Sequence, residues 1–271
     1  MLDILKSIIL GIIQGITEWL PISSTGHMIL VDEFLKLNVS KEFFSMFLVV
    51  IQLASILAVV LIFFKKLFPW GFGKTKEETK TTFNLWYMIL IGCIPAGIIG
   101  ILLDDKIDEW FFNPWTVAIT LIVYGILFIV IENRNKNKEF KVNSVYQITY
   151  KTAVLIGLFQ VLALIPGTSR SGATILGGLI LGLDRKTAAN YTFYLAVPVM
   201  CGASLLKLLK FGFSFSGAEI VILLVGMLSA FIVSVLAISF LLKYIKKHDF
   251  KVFGYYRIAL GIIVLLYFLF R

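Results

Sequence analysis

Six stretches of this chain carry almost no charge over lengths that match a lipid bilayer: Phe43–Phe64, Leu85–Leu103, Trp115–Ile131, Thr187–Leu206, Ile220–Leu242 and, broken only by Arg257, Val252–Phe270. A hydrocarbon core of about 30 Å takes roughly 20 helical residues to cross, and inside it the backbone polar groups must be paired within the segment. Runs of this kind therefore fold as membrane helices and exclude a water-soluble domain. Composition agrees, with 59% of the 271 residues hydrophobic and only 15% charged. The net charge of +9 resides mainly on lysines between the apolar runs, so membrane topology accounts for it and no nucleic-acid partner is expected. Glu18 and Pro21 within the first apolar stretch, with no small-residue cleavage pattern after them, argue for a retained N-terminus. Cys93 and Cys201 lie in apolar runs away from acidic or His clusters and read as packing residues.

Two further stretches are apolar but differently built. Ser7–Val31 is uncharged except for Glu18, and Thr152–Leu183 is uncharged except for Arg170. The first is broken by Pro21-Ile22-Ser23-Ser24-Thr25-Gly26, the second by Pro166-Gly167-Thr168-Ser169-Arg170-Ser171-Gly172, both helix-stopping compositions. The run from Ser7 to Leu20 is roughly 21 Å long as a helix, too short to cross. Each stretch is thus expected to form a re-entrant hairpin of two half-helices. The stretches also match each other. Gly11-Ile12-Ile13-Gln14 ahead of Leu20-Pro21 parallels Gly157-Leu158-Phe159-Gln160 ahead of Ile165-Pro166, with the Ser-rich turns offset by one residue. One hairpin followed by three spans makes a half with an odd number of crossings, so the second copy starts on the opposite face. The expected architecture is an all-α integral membrane protein of about ten helices. It has six full spans and two re-entrant hairpins, with 1–132 as one repeat and 150–271 as its inverted copy.

The layout places sixteen Lys and Arg residues on one side, between Lys65 and Lys80, Arg134 and Lys151, Arg185 and Lys186, and Lys243 and Lys251. The other side has seven, Lys6, Lys36, Lys41, Lys106, Lys207, Lys210 and Arg271, together with an acidic loop from Asp104 to Glu109. The richer side is cytoplasmic and both termini face outward.

A charge at membrane depth costs about 2.5–3.5 kcal/mol on insertion scales and normally faces a partner or a wet cavity. Glu18 and Arg170 sit in the two matching turns, which inverted repeats bring together near the bilayer midplane, so they are expected to share one site. Gln14 and Glu18 are four residues apart and share a helix face, where an amide and a carboxylate suit a divalent cation through oxygen ligands. The second half keeps the amide as Gln160 and replaces the acid with Leu164. His27 follows Ser23-Ser24-Thr25-Gly26 at a half-helix start, close to hydroxyls and to free backbone N–H groups. His248 belongs to a Lys-rich loop and reads as solvated. Ser169-Arg170-Ser171-Gly172 joins hydroxyls, a guanidinium and exposed N–H groups, which suits a phosphate better than a neutral ligand.

The motif from Gln14 through Glu18, Pro21, Ser23, Ser24 and Thr25 to His27, together with Pro166 through Arg170 to Thr174, resembles the undecaprenyl-pyrophosphate phosphatase family of the bacitracin-resistance type. The resemblance spans the whole chain. It implies a bacterial plasma-membrane enzyme that removes the terminal phosphate of a polyprenyl diphosphate, recycling a lipid carrier for cell-wall synthesis, and that depends on Mg²⁺ or Ca²⁺. Some members carry Glu at position 14, so Gln14 is at most an amide-oxygen ligand beside Glu18. In that frame Arg170, Ser169, Ser171, Gly172 and Thr174, with Ser23 and Thr25 opposite, hold the phosphates. Ser24 is the preferred nucleophile with His27 or Glu18 accepting its proton, and attack by His27 or by water is the alternative. A second function class uses the same architecture, a lipid flippase or anion carrier. Oligomeric state is not legible: Gly92, Gly97 and Gly100 serve packing within a chain as readily as between chains.

Overall fold

The computed structural model describes residues 2–71, 73–212 and 214–270, apart from the side chains at 32, 33, 104, 105 and 108. Its described residues form α1 (Leu2–Thr17), α2 (Ser24–Phe34), α3 (Lys41–Ile62), the single turn α4 (Phe64–Leu67), α5 (Lys76–Phe111), α6 (Pro114–Asn135), α7 (Tyr150–Leu162), α8 (Arg170–Ile180), α9 (Arg185–Phe211), α10 (Gly217–Tyr244) and α11 (Lys251–Leu269). A 3₁₀ turn, Val145–Gln147, leads into α7. Six helices are long and apolar enough to cross a bilayer, α3, α5, α6, α9, α10 and α11, and they match the six apolar runs to within two residues except where α5, α6, α9 and α10 extend further. Their outer faces expose large apolar side chains at helical spacing, such as Leu224, Leu228, Leu236 and Phe240 on α10. An exposed apolar surface of this extent belongs in lipid. The chain is a multi-pass membrane protein.

Helices start on side-chain caps. Ser40, Asn113 and Asp184 accept the N–H groups of Phe43, Thr116 and Thr187, and Ser216 with Glu219 forms a capping box. Helices also overrun their apolar cores. The α5 helix has 36 residues, roughly 54 Å, so the segment Asp104 to Glu109 is not the expected loop but the continuing helix, with the side chains of Asp104, Asp105 and Asp108 outside the described residues. Lys106 and Glu109 are good helix formers, and no Pro or Gly stands between Ile101 and Phe111 to end the helix sooner. Arg271, counted among the outward cations, also lies outside the described residues. Cys201 departs from expectation too: it is exposed on the outer face of α9, while Cys93 packs with its thiol on the Leu195 carbonyl at 3.7 Å.

The α2, α7 and α8 helices have 11, 13 and 11 residues, about 16–20 Å, and α1 has 16, about 24 Å, so none spans the core. Each hairpin returns to the side it left. The Asn38 N–H donates to Asp3 and the Lys6 ammonium donates to the Lys36 carbonyl, so the chain leaving α2 lies beside the start of α1. Residues 141 and 142, ahead of α7, pair with 182 to 184 behind α8 through Lys141 N–H to Gly182 O at 3.0 Å and Asp184 N–H to Val142 O at 3.0 Å.

The hairpins are inserted crosswise. The α1 helix packs on α10, and α7 packs on α5. Glycine permits both contacts: a Cβ on Gly11 would overlap the Gly226 carbonyl, and one on Gly157 would overlap the Gly92 carbonyl. Gly92 therefore works inside the chain, whereas Gly97 faces open space. The largest buried cluster joins the tip of the first hairpin, Trp19 and Ile22, to the α8 arm of the second, Ile175, Leu176 and Leu179, around Phe193 and Tyr194 of α9. At the Lys-rich end Arg185 binds buried Glu132 bidentately, at 2.9 and 2.6 Å, and Glu132 also accepts the Phe250 N–H, joining α6, α9 and the start of α11. Arg185, read as a topology charge, is thus also a structural one.

Candidate active site

The two turns are built alike. Ser23 and Ser169 cap α2 and α8, each accepting the N–H of the glycine three residues on, Gly26 and Gly172. Both have φ of 72°, and they are the only non-glycine residues with positive φ among the described residues. Such a conformation is held only by surrounding structure and gathers at functional sites. The same spacing that separates Ser23 from Ser169 separates Gly11 from Gly157 and Gln14 from Gln160. The turns therefore need no offset. It is the prolines that are displaced, Pro21 matching Gly167, and Ser24 matches Arg170 as the first residue of its half-helix.

Glu18 lies one residue past α1, and its N–H still donates to the Gln14 carbonyl at 3.0 Å. That helical spacing brings the Gln14 amide onto the carboxylate, Nε2 to Oε2 at 2.8 Å. The other carboxylate oxygen meets Arg170 Nη2 at 3.0 Å, so buried Glu18 and partly buried Arg170, one from each half, form one pair. Arg170 Nη1 donates to the Thr192 carbonyl on α9 at 2.9 Å, and its guanidinium lies over Trp19. The turns are also tied through Ser171, whose hydroxyl donates to the Glu18 carbonyl at 3.1 Å with the Leu20 carbonyl at 3.4 Å. Ser169 Oγ stands 3.1 Å from Ser171 Oγ. Thr174 sits one turn deeper, its hydroxyl between the Arg170 carbonyl at 2.9 Å and Thr192 Oγ1 at 2.8 Å.

Ser24 and His27 stand apart from that network. His27 Nδ1 is 2.7 Å from the Ser23 carbonyl and Nε2 is 2.7 Å from the Tyr256 hydroxyl. A carbonyl only accepts, so the pattern assigns the proton of neutral His27 to Nδ1 and leaves Nε2 accepting from Tyr256. Neither nitrogen bonds Ser24. The hydroxyls of Ser24 and Thr25 are partly exposed and bond no other residue. Arg170, the hydroxyls beside it and the N-terminus of α8 thus gather around Glu18, an arrangement that favours an anion, while the N-terminus of α2 carries Ser24 and His27 outside that set of contacts.

Three contributors escaped sequence reasoning. Thr192 supplies a carbonyl and a hydroxyl from mid-span, and Tyr256 orients His27 from α11; no composition signal marks either. Arg257, fully buried, donates to carbonyls of both turns. Its signal was visible as the one charge in the sixth span.

A family model described as "Bacitracin resistance protein BacA" matches residues 7–263. The chain belongs to the BacA family. It is 62% identical over 269 residues to an undecaprenyl-diphosphatase of Desulfitobacterium hafniense, covering 99% of this chain and 97% of that one. It is 61% identical over 269 residues to one of Acetivibrio thermocellus, covering 99% of each, and 63% identical over 268 residues to one of Lachnoclostridium phytofermentans, covering 99% and 98%. The matched BacA region takes in both turns, the Glu18–Arg170 pair and Arg257.

Proposed function

We propose that this chain is a phosphatase of the bacterial plasma membrane, hydrolysing undecaprenyl or a similar polyprenyl diphosphate to the monophosphate and inorganic phosphate. End-to-end similarity to proteins named for that reaction supports the substrate class. The observation that carries the reading to residues is the Glu18–Arg170 pair, formed across two turns whose half-helix N-termini suit phosphate. The prenyl tail stays in lipid while the head enters between the turns. Arg170 exchanges Glu18 for phosphate oxygens, with Ser169, Ser171, Gly172 and Thr174 on one side and Ser23 and Thr25 on the other forming the surrounding wall. Ser24 Oγ attacks the terminal phosphorus, the bond to the bridging oxygen breaks, and the prenyl monophosphate leaves. Water then releases phosphate from Ser24. His27 takes the Ser24 proton once its Nε2 has left Tyr256, or Glu18 does so once freed from Arg170.

A divalent cation, Mg²⁺ or Ca²⁺, belongs to this reading. No cluster of three His, Cys, Asp or Glu is found among the described residues, so the donor set fits an ion carried mainly by the diphosphate, with Glu18 and the Gln14 amide oxygen completing its shell. Such an ion neutralises phosphate charge. The halves 1–132 and 150–271 are read as inverted repeats, which the matched caps and the crosswise hairpins support.

The test is phosphate release from a polyprenyl diphosphate by purified protein in detergent, with and without EDTA. Parent activity is expected, lost on chelation and in well-folded Glu18→Gln and Arg170→Ala. A folded parent that releases no phosphate with either cation added would overturn the hydrolytic reading and direct attention to lipid transport in liposomes.

A further inference from the structure

Arg257 has no part in the chemistry just described, yet it is the most completely enclosed charged residue among the described residues, 0% exposed. No carboxylate pairs with it among the described residues. All its donors go to main-chain carbonyls instead. Nη1 reaches Pro21 O at 3.3 Å; Nη2 reaches Gly167 O at 2.9 Å and Thr168 O at 3.0 Å; longer contacts of 3.5 Å run to Thr120 and Leu121 of α6. The Thr168 contact completes the set. The guanidinium stacks over Tyr124 of α6. It thus bridges the first turn to the second, and both to α6, from the side of α11.

Those carbonyls precede the two strained caps. In a planar trans peptide the C=O and the following N–H point in opposite directions. Drawing Thr168 O inward to Arg257 therefore turns the Ser169 N–H the other way, and that N–H has no main-chain acceptor. The guanidinium also passes directly beneath Gly172, where a Cβ would stand 3.2 Å from Nη1. A planar, permanently charged fork can satisfy several carbonyls from two turns at once, and an ammonium or amide cannot do so in the same geometry.

We infer that Arg257 is a positioning residue that sets the register of the two turns, and hence of Ser24 against Arg170. The kinetic part of the inference rests on the phosphatase reading. Losing the fork leaves diphosphate affinity largely in place but misplaces the reacting groups, and a misplacement of about 1 Å costs roughly 100-fold in rate.

The experiment compares the parent with R257K and R257Q in two arms. In the first, kcat per folded molecule is expected to fall about 100-fold in R257Q and about 10-fold in R257K, with KM within about threefold of the parent. The second arm needs no activity. With Cys93 and Cys201 replaced by Ala, cysteines at Leu20 and Ser171, where the Ser171 hydroxyl lies 3.4 Å from the Leu20 main-chain carbonyl, are oxidised and the cross-linked fraction measured. The parent background is expected to cross-link readily and both Arg257 variants several-fold more slowly. Where R257Q does not fold, R257K alone decides. Parent-like kcat and cross-linking in R257K would overturn the inference, as would loss confined to KM. A parent without phosphatase activity fails the functional reading instead, and the cross-linking arm then decides the role of Arg257.

Discussion

Glu18 is held on both oxygens, by Arg170 and by Gln14, and its main-chain carbonyl is held by Ser171. Each oxygen keeps a further lone pair, but the Arg170 contact fixes the carboxylate in place, and an arriving diphosphate is what would draw Arg170 away. Ser24 is the opposite case, a hydroxyl at the head of α2 with no partner to lose. These states assign the two residues different parts, Glu18 as the group released by substrate and Ser24 as the group already available. Substituting Ser24 by Ala should abolish turnover, by 10³-fold or more on the scale of lost nucleophiles, while diphosphate affinity stays within a few-fold. Isothermal titration with a short-chain diphosphate beside the release assay measures both. Near-normal turnover would pass the attacking role to water or to His27. The pair of Gln14 and Glu18 was legible because i, i+4 spacing is a local property. The Tyr256 contact to His27 was not, because it links residues of opposite halves.

At the scale of elements, each hairpin turns on one serine with φ of 72° that also caps the following helix. The cap contributes about 1 kcal/mol, and alanine at positive φ adds strain of about 1–3 kcal/mol. Stability at position 169 should therefore fall in the order Ser, Gly, Ala, with alanine below glycine by about 1–2 kcal/mol. Thermal unfolding in one detergent measures the order, and alanine at or above glycine would show that the turn relaxes to an unstrained form. The break in each apolar stretch was readable from its Pro, Gly and Ser content. Which serine carried the positive φ was not, since two serines stand in each turn and only packing chooses between them. The prolines misled the register because a proline is a strong local signal that two related turns need not share at the same position.

The whole molecule inserts each hairpin against a span of the other half, α1 on α10 and α7 on α5, and buries the first tip and α8 in one cluster with α9. With hairpins that return to their own side and six crossings between them, the loops fall into two sets, and the Lys-rich set is expected in the cytoplasm. Single cysteines replacing Lys36 or Lys207, in a background without native cysteines, should react with a membrane-impermeant maleimide in intact cells. Cysteines replacing Lys138 or Lys247 should react only after permeabilisation. The reverse pattern would invert the orientation, and a mixed pattern would mean that one hairpin crosses completely.

What the sequence determined by itself was whatever depends on the polarity and length of one continuous segment. That covers the membrane, the six spans, the two broken hairpins, the Gln14 and Glu18 face, and the pairing of Glu18 with Arg170 as the two charges carried by the matching hairpin stretches. The tertiary structure alone decided how the turns are held. Ser171 reaches the carbonyls of Glu18 and Leu20, Arg170 reaches that of Thr192, and Arg257 reaches those of Pro21, Gly167 and Thr168. Every residue offers the same carbonyl, so a side chain that binds main chain leaves no mark on the identity of its partner, and only the folded path of the chain reveals it.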